Sequence, residues 1–222
     1  MAIKNILSVI FHMVLWTPVV FFSTLLTHNA ILYFTHGGEY GILPEKILAR
    51  QDLWWNISFY IHLPSGILCL CAPLILFIGK LFKLPRKWHM LIGKWYVWIT
   101  LLLVCPTGMY LALYAKGGLI TQFGFMVQAV LLGWFTYDGY KAIGRGDKPG
   151  HADAMIRSYA IATVVLSFRI FHILFFIWKV PYQDNYAMSQ WLGVACNGLL
   201  AEICIYIKNS RIKNVNLKPL KL

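Results

Sequence analysis

The chain has 222 residues, of which 59% are hydrophobic and 13% charged, with a formal net charge of +12. Those proportions exclude a soluble globular domain and suit a single membrane domain over residues 1–222, of about six helical spans. The positive charge gathers at the ends of apolar runs, where it meets anionic lipid. With no aromatic-basic platform or reading helix beside it, nucleic acid is excluded as a partner.

Span one is predicted from about Lys4 to Leu26, extending towards Phe34, with a kink at Pro18 where a backbone donor is lost. Its length and the lack of a small-residue cleavage site mark it as retained rather than a signal peptide. His12 on this span reads as a packing residue. His28 and His36 read as solvated. The stretch His36 to Asn56 is an extramembrane connection, with Gly37 and Gly38 as punctuation and a short interfacial helix from Pro44. Trp54 and Trp55 are expected at headgroup level.

Span two is predicted over Ile57–Gly79, with His62, Pro64, Gly66 and Pro73 inside it, and span three over Trp88–Tyr114 after a basic loop. Span four covers Gln122–Tyr140. A second basic loop leads to span five, over Gly150–Trp178, where Pro149 and Gly150 punctuate the start and Asp153 suits the first turn. The connection KVPYQDNY precedes span six, Ala187–Ile207, and a basic tail, 208–222, closes the chain.

Lys4, five basic residues in 80–94, four in 141–157 and five in 208–221 lie on one side, giving 15 of the 20 Lys and Arg. This bias predicts an all-α bundle with both termini cytoplasmic. The five cysteines all fall inside spans without a C-x-x-C pattern and read as small core thiols.

Span five organises the rest. His151, Arg157, Arg169 and His172 interrupt an otherwise apolar helix. At about 100° per residue His151 and Arg169 return to one face, with His172 about 60° to the side. An arginine deep in a lipid-facing helix costs roughly 3 kcal/mol on insertion scales, so this face must look into the bundle. Two polar levels follow from about 1.5 Å of rise per residue. His62, Arg169, His172 and Asn197 share the outer level. His89, His151, Arg157 and Glu202 share the inner one, with Arg157 and Glu202 the expected ion pair and Asn197 or an anion the expected neighbour of Arg169.

Three chemistries suit those residues. Facing imidazoles could hold haem b, His62 with His172 and His89 with His151, with arginines for the propionates and a quinone as electron partner. The 21 positions between His151 and His172 span about 32 Å, which puts one ligand at headgroup depth. The same groups could instead form a proton relay or a small-solute carrier. An enzyme site of His89, His151, Asp153 and Glu202, whose imidazoles and carboxylates could bind a metal or do acid–base work, is the third possibility, although no H-E-x-x-H, G-x-S-x-G, P-loop or dinucleotide fingerprint is present. Beside these stands a structural or accessory subunit whose polar residues only join helices.

Several motifs resemble an uncharacterised bacterial family of predicted membrane proteins, domain of unknown function 2306. They are His62 with Gly66 and Pro73, WHMLIGKWY from Trp88, HADAMIRSYA over 151–160 followed by Arg169, and Trp191, Asn197 and Glu202. The resemblance covers about Tyr60 to Glu202. It implies a bacterial cytoplasmic membrane protein without an established activity. It points to His62, His89, His151, Arg157, Arg169, Asn197 and Glu202 as the polar positions that matter. His172 is not among its marks, and Met90 stands where the family usually has arginine.

Overall fold

A computed structural model describes the backbone of residues 2–81 and 85–216, and side chains at 17, 19–76 and 85–210. The described residues are helical throughout, with no strand among them. Helix α1 spans Ala2–His36, and after short helical turns α2 spans Ile47–Arg50 and α3 spans Leu53–Leu81. Then come α4 (Arg86–Ile99), α5 (Cys105–Ala112), α6 (Gly118–Gly144), α7 (Lys148–Ala162), α8 (Val164–Ile177) and α9 (Tyr182–Asn216).

Five helical stretches among the described residues are long and apolar enough to cross a membrane: Leu53–Leu76, Arg86–Ala112, Gly118–Gly144, Lys148–Ile177 and Tyr182–Ser210. They correspond to predicted spans two to six. Most side chains of predicted span one, including His12 and Pro18, lie outside those described. The basic tail continues α9 as helix to Asn216, and residues 217–222 are outside the described set.

The chain divides into two compact units, Met1–Tyr96 and Val97–Leu222. In the first, α1 and α2 pack on α3. Tyr40 donates its hydroxyl to Asn29 Oδ1 at 2.7 Å, and Arg50 Nη1 donates to the Gly38 carbonyl at 3.1 Å, so the connection folds back on the helix ends. Trp54 and Trp55 fall in the first turn of α3 and part company there. Trp54 is exposed as a headgroup residue would be, but Trp55 is buried and stacks on Phe59 with centroids 5.0 Å apart. Consecutive helical residues point about 100° apart, so only one of the pair can face outward. His28 and His36 are exposed, as expected of solvated residues.

In the second unit α6 packs on α5, α7 and α9, and α9 also receives α7 and α8. Small residues set these approaches. A Cβ at Gly124 would meet Gln190 Cγ at 2.8 Å, and one at Gly193 would meet Val164 Cγ1 at 3.2 Å. Between α4 and α5, Thr100–Val104 is a π-helical turn, with the Cys105 N–H reaching the Thr100 carbonyl. Pro106 explains it: a proline has no N–H to bond four residues back, and its ring crowds that carbonyl.

The predicted single helix of span five is broken in its middle. Thr163 takes φ −78° and ψ 0°, separating α7 from α8. The turn before α9 is also tighter than the sequence suggested. Lys179 adopts φ +57°, the Val180 N–H bonds the Phe175 carbonyl and the Lys179 N–H bonds the Phe176 carbonyl, each at 3.0 Å. This is a Schellman cap, and it lets α9 begin at Tyr182. Of the cysteines, Cys69 and Cys105 are buried, but Cys204 is exposed on α9, so the core reading fails there.

Candidate functional site

Polar side chains follow α7 and α8 along the depth of the second unit, beginning at the basic end. Asp147 caps α7 by accepting the Gly150 N–H at 2.9 Å, an aspartate N-cap that sequence reading passed over for Pro149. One residue on, His151 Nδ1 lies 2.8 Å from the Gly139 carbonyl oxygen on α6. A carbonyl only accepts, so Nδ1 carries the proton and Nε2 presents a lone pair in the neutral ring. Asp153 pairs with Lys208 rather than with His151.

Arg157 and Glu202 form the ion pair expected from their depths. Arg157 Nε donates to Oε1 at 2.6 Å and Nη2 to Oε2 at 2.9 Å, a two-pronged geometry that fixes both planes. The Glu202 side chain is 56% exposed, so this pair sits at the margin of the bundle rather than within it. Next to it, but fully buried, the Ser158 and Thr136 hydroxyls lie 2.7 Å apart across α7 and α6.

The break at Thr163 is sealed from two sides. Asn197 Nδ2 donates to the Ala160 carbonyl at 2.9 Å and to Thr163 Oγ1 at 3.2 Å, and its Oδ1 accepts from Ser167 Oγ at 2.7 Å. Gln128 Nε2 donates to the Ile161 carbonyl at 3.3 Å, and Gln190 Nε2 donates to Gln128 Oε1 at 2.8 Å. Backbone groups that lose regular helical bonding in an apolar interior need such donors. Both ends of the Asn197 amide thus serve the break.

Beyond the break, Asn185 Oδ1 accepts from His172 Nδ1 at 2.7 Å and from Ser189 Oγ at 3.1 Å. Its Nδ2 donates to the His172 carbonyl at 3.2 Å, which fixes the amide's orientation. His172 is thus another Nδ1–H imidazole with Nε2 as its open position. Phe168 stacks on its ring at 5.6 Å, and Tyr186 meets it edge-on at 4.6 Å. Lys116 lies over the Tyr182 ring at 5.9 Å, and Arg169 on α8 is half-buried.

The column thus unites His151, Arg157, Asn197, Glu202 and His172 within one unit. His62, half-buried on α3, and the exposed His89, in the first turn of α4, belong to the other. Among the described residues no group of three or more His, Cys, Asp or Glu gathers as a metal site.

Sequence reading missed Gln128, Gln190, Asn185, Ser189 and Thr136. Neutral amides and hydroxyls in apolar spans drew less notice than ionisable groups. Asn185 was also assigned to the loop before span six, whereas α9 starts three residues earlier.

The family model described as predicted membrane protein, domain of unknown function 2306, matches residues 59–205. The chain belongs to this family. The match runs from within α3 through most of α9, and so covers every member of the polar column from Gln128 to Glu202. No curated protein and no solved structure matches the chain. As a member of the domain of unknown function 2306 family, it is an integral membrane protein with several crossing helices.

Proposed function

We propose that this protein transfers protons across the membrane along the α7–α8 column. One observation carries the reading: between two imidazoles that each keep Nε2 open, hydrogen-bonding side chains recur through the full span. Hydroxyls such as Ser158, Thr136, Ser167 and Ser189 both donate and accept, and the amides hold their neighbours in register. An imidazole at either end, able to take up and release a proton at its open nitrogen, suits entry and exit. Intramembrane ionisable groups commonly mark such paths. The same proposal takes the bilayer to be the bacterial cytoplasmic membrane, with six crossings and both termini on the cytoplasmic side, in line with the family and the charge bias.

The test is flux. Purified protein in liposomes, driven by a potassium diffusion potential, should acidify or alkalise the lumen as read by a trapped pH dye. His151→Ala and His172→Ala should each reduce the rate at least tenfold. Wild-type liposomes no leakier than empty ones would end the proposal.

A second reading is favoured by the same imidazole anchoring, since a histidine that donates Nδ1–H to a fixed acceptor is oriented as haem ligands are. His151 and His172 would then each be a ligand of haem b, with Arg157 and Arg169 for the propionates and a quinone as electron partner. Bound haem would supply a one-electron couple. This chain's residues would orient the rings and exclude water. Purified protein without a Soret band, and gaining none with added haemin, removes this reading.

A further inference from the structure

Gln190 is fully buried, and its Oε1 has no hydrogen-bond partner among the described residues. The orientation of that amide is set by a chain of donors. The Ile161 carbonyl can only accept, so Gln128 turns its Nε2 to it and its Oε1 back to α9. Gln128 Oε1 likewise only accepts, so Gln190 must present Nε2, at 2.8 Å. Flipping Gln190 would set two oxygens against each other. The open oxygen therefore belongs to the molecule's own bonding logic, and an amide acceptor left unpaired in such a place is destabilising.

The surroundings restrict what can fill that need. Thr121, Gly124 and Gln128 are spaced three and four residues apart and share one face of α6. Gln190 packs on Gly124 closely enough that a Cβ there would meet its Cγ at 2.8 Å. Since the two ends of a planar amide diverge, Oε1 faces away from Gln128. Thr121 is the polar group one turn from Gly124 on the side of it away from Gln128. Thr121 is itself fully buried and spends its proton on the Gly117 carbonyl at 3.0 Å, which leaves its oxygen lone pairs to accept. Thr121 Oγ1 and Tyr186 Cβ of α9 both lie 2.5 Å from where a Cβ on Gly117 would stand, so this acceptor too belongs to the α6–α9 seam. An ammonium would need a buried carboxylate beside it, and the Asp153 and Glu202 carboxylates are paired at the basic end.

We infer that a single internal water binds between Gln190 Oε1 and Thr121 Oγ1, donating one hydrogen to each. Two polar partners meet the minimum for an ordered interior water. The site joins α6 to α9 on the far side of Gly124 from the Gln128 bond. It stands whether or not the column conducts protons.

The test is a high-resolution crystal or cryo-electron map of the wild-type protein and of Thr121→Val, with hydroxyl-radical labelling in oxygen-18 water as a second readout. The expected wild-type result is ordered density within hydrogen-bond reach of both oxygens. Label should appear on the aromatic residues flanking Gln190, fall several-fold in Thr121→Val and be retained in Thr121→Ser. Apolar atoms closed over Oε1 in the wild-type map, or labelling unchanged in a folded Thr121→Val, would overturn the inference. Should Thr121→Val fail to fold, the wild-type map decides alone. Water without proton flux would sink only the conduction proposal, and flux without the water only this one.

Discussion

The Asn197 amide donates to the carbonyl of Ala160 at 2.9 Å, bridging α9 to the last turn of α7 just before that helix is interrupted. The same nitrogen reaches Thr163 Oγ1, the side chain of the interrupting residue, and Asn197 Oδ1 receives Ser167 from the first turn of α8. One side chain therefore holds both halves of a broken span. Asn197→Leu should lower stability by about 1–3 kcal/mol, because a backbone carbonyl and a hydroxyl lose their partner in an apolar interior. Thermal or denaturant unfolding in detergent measures it. A change within about 0.5 kcal/mol, ordinary for a surface site, would remove this role.

Lys179 occupies a left-handed position that disfavours a side chain with a Cβ. Lys179→Gly should stabilise the protein by about 1 kcal/mol and raise its melting temperature. Lys179→Val should do the opposite, since a β-branched residue fits φ > 0 worst. If Gly and Val behave alike, the cap is not formed in the membrane-embedded protein.

The buried Thr136–Ser158 pair offers a cleaner energy than any single deletion. In a cycle of Thr136→Val, Ser158→Ala and the double variant, the coupling should lie between about 0.6 and 1.7 kcal/mol, the range for hydrogen bonds between membrane helices. Additive losses would mean the hydroxyls do not bond to each other.

For the Arg157–Glu202 pair, exposure tempers the expectation. Glu202→Gln should cost less than about 1 kcal/mol, because more than half of the carboxylate side chain is open to its surroundings. Arg157→Glu should cost more, by setting two carboxylates together. The reversed pair, Arg157→Glu with Glu202→Arg, should recover most of that loss. Melting temperatures of the three proteins compare these outcomes directly.

Much of this was legible in the residues, for physical reasons that differ by site. Apolar runs of about 20 residues locate spans because lipid demands them, so predicted spans two to six fall on the observed helices. Arg157 and Glu202 could be paired in advance, since each needs an opposite charge at a similar depth. The break at Thr163 was not legible: no proline or glycine stands there, and the interruption is held open by amides from α6 and α9, a tertiary cause. Trp55 went to the core for a related reason, since its sequence looks like that of Trp54 and only the packing of Phe59 separates them. Asn197 was noticed, but its bonds to the break were not legible, because depth along a helix ranks neighbours without fixing which way an amide turns.

The imidazoles of His151 and His172 each have one nitrogen committed to a neighbouring oxygen. Acylating reagents attack the unprotonated nitrogen of a neutral ring. Diethyl pyrocarbonate should therefore give each residue a single carbethoxy adduct on Nε2, with the doubly modified, ring-opened product suppressed until detergent or denaturant pulls α7 from α6 and α8 from α9. Mass spectrometry of such adducts would then act as a reporter of helix separation at the two ends of the α7–α8 column.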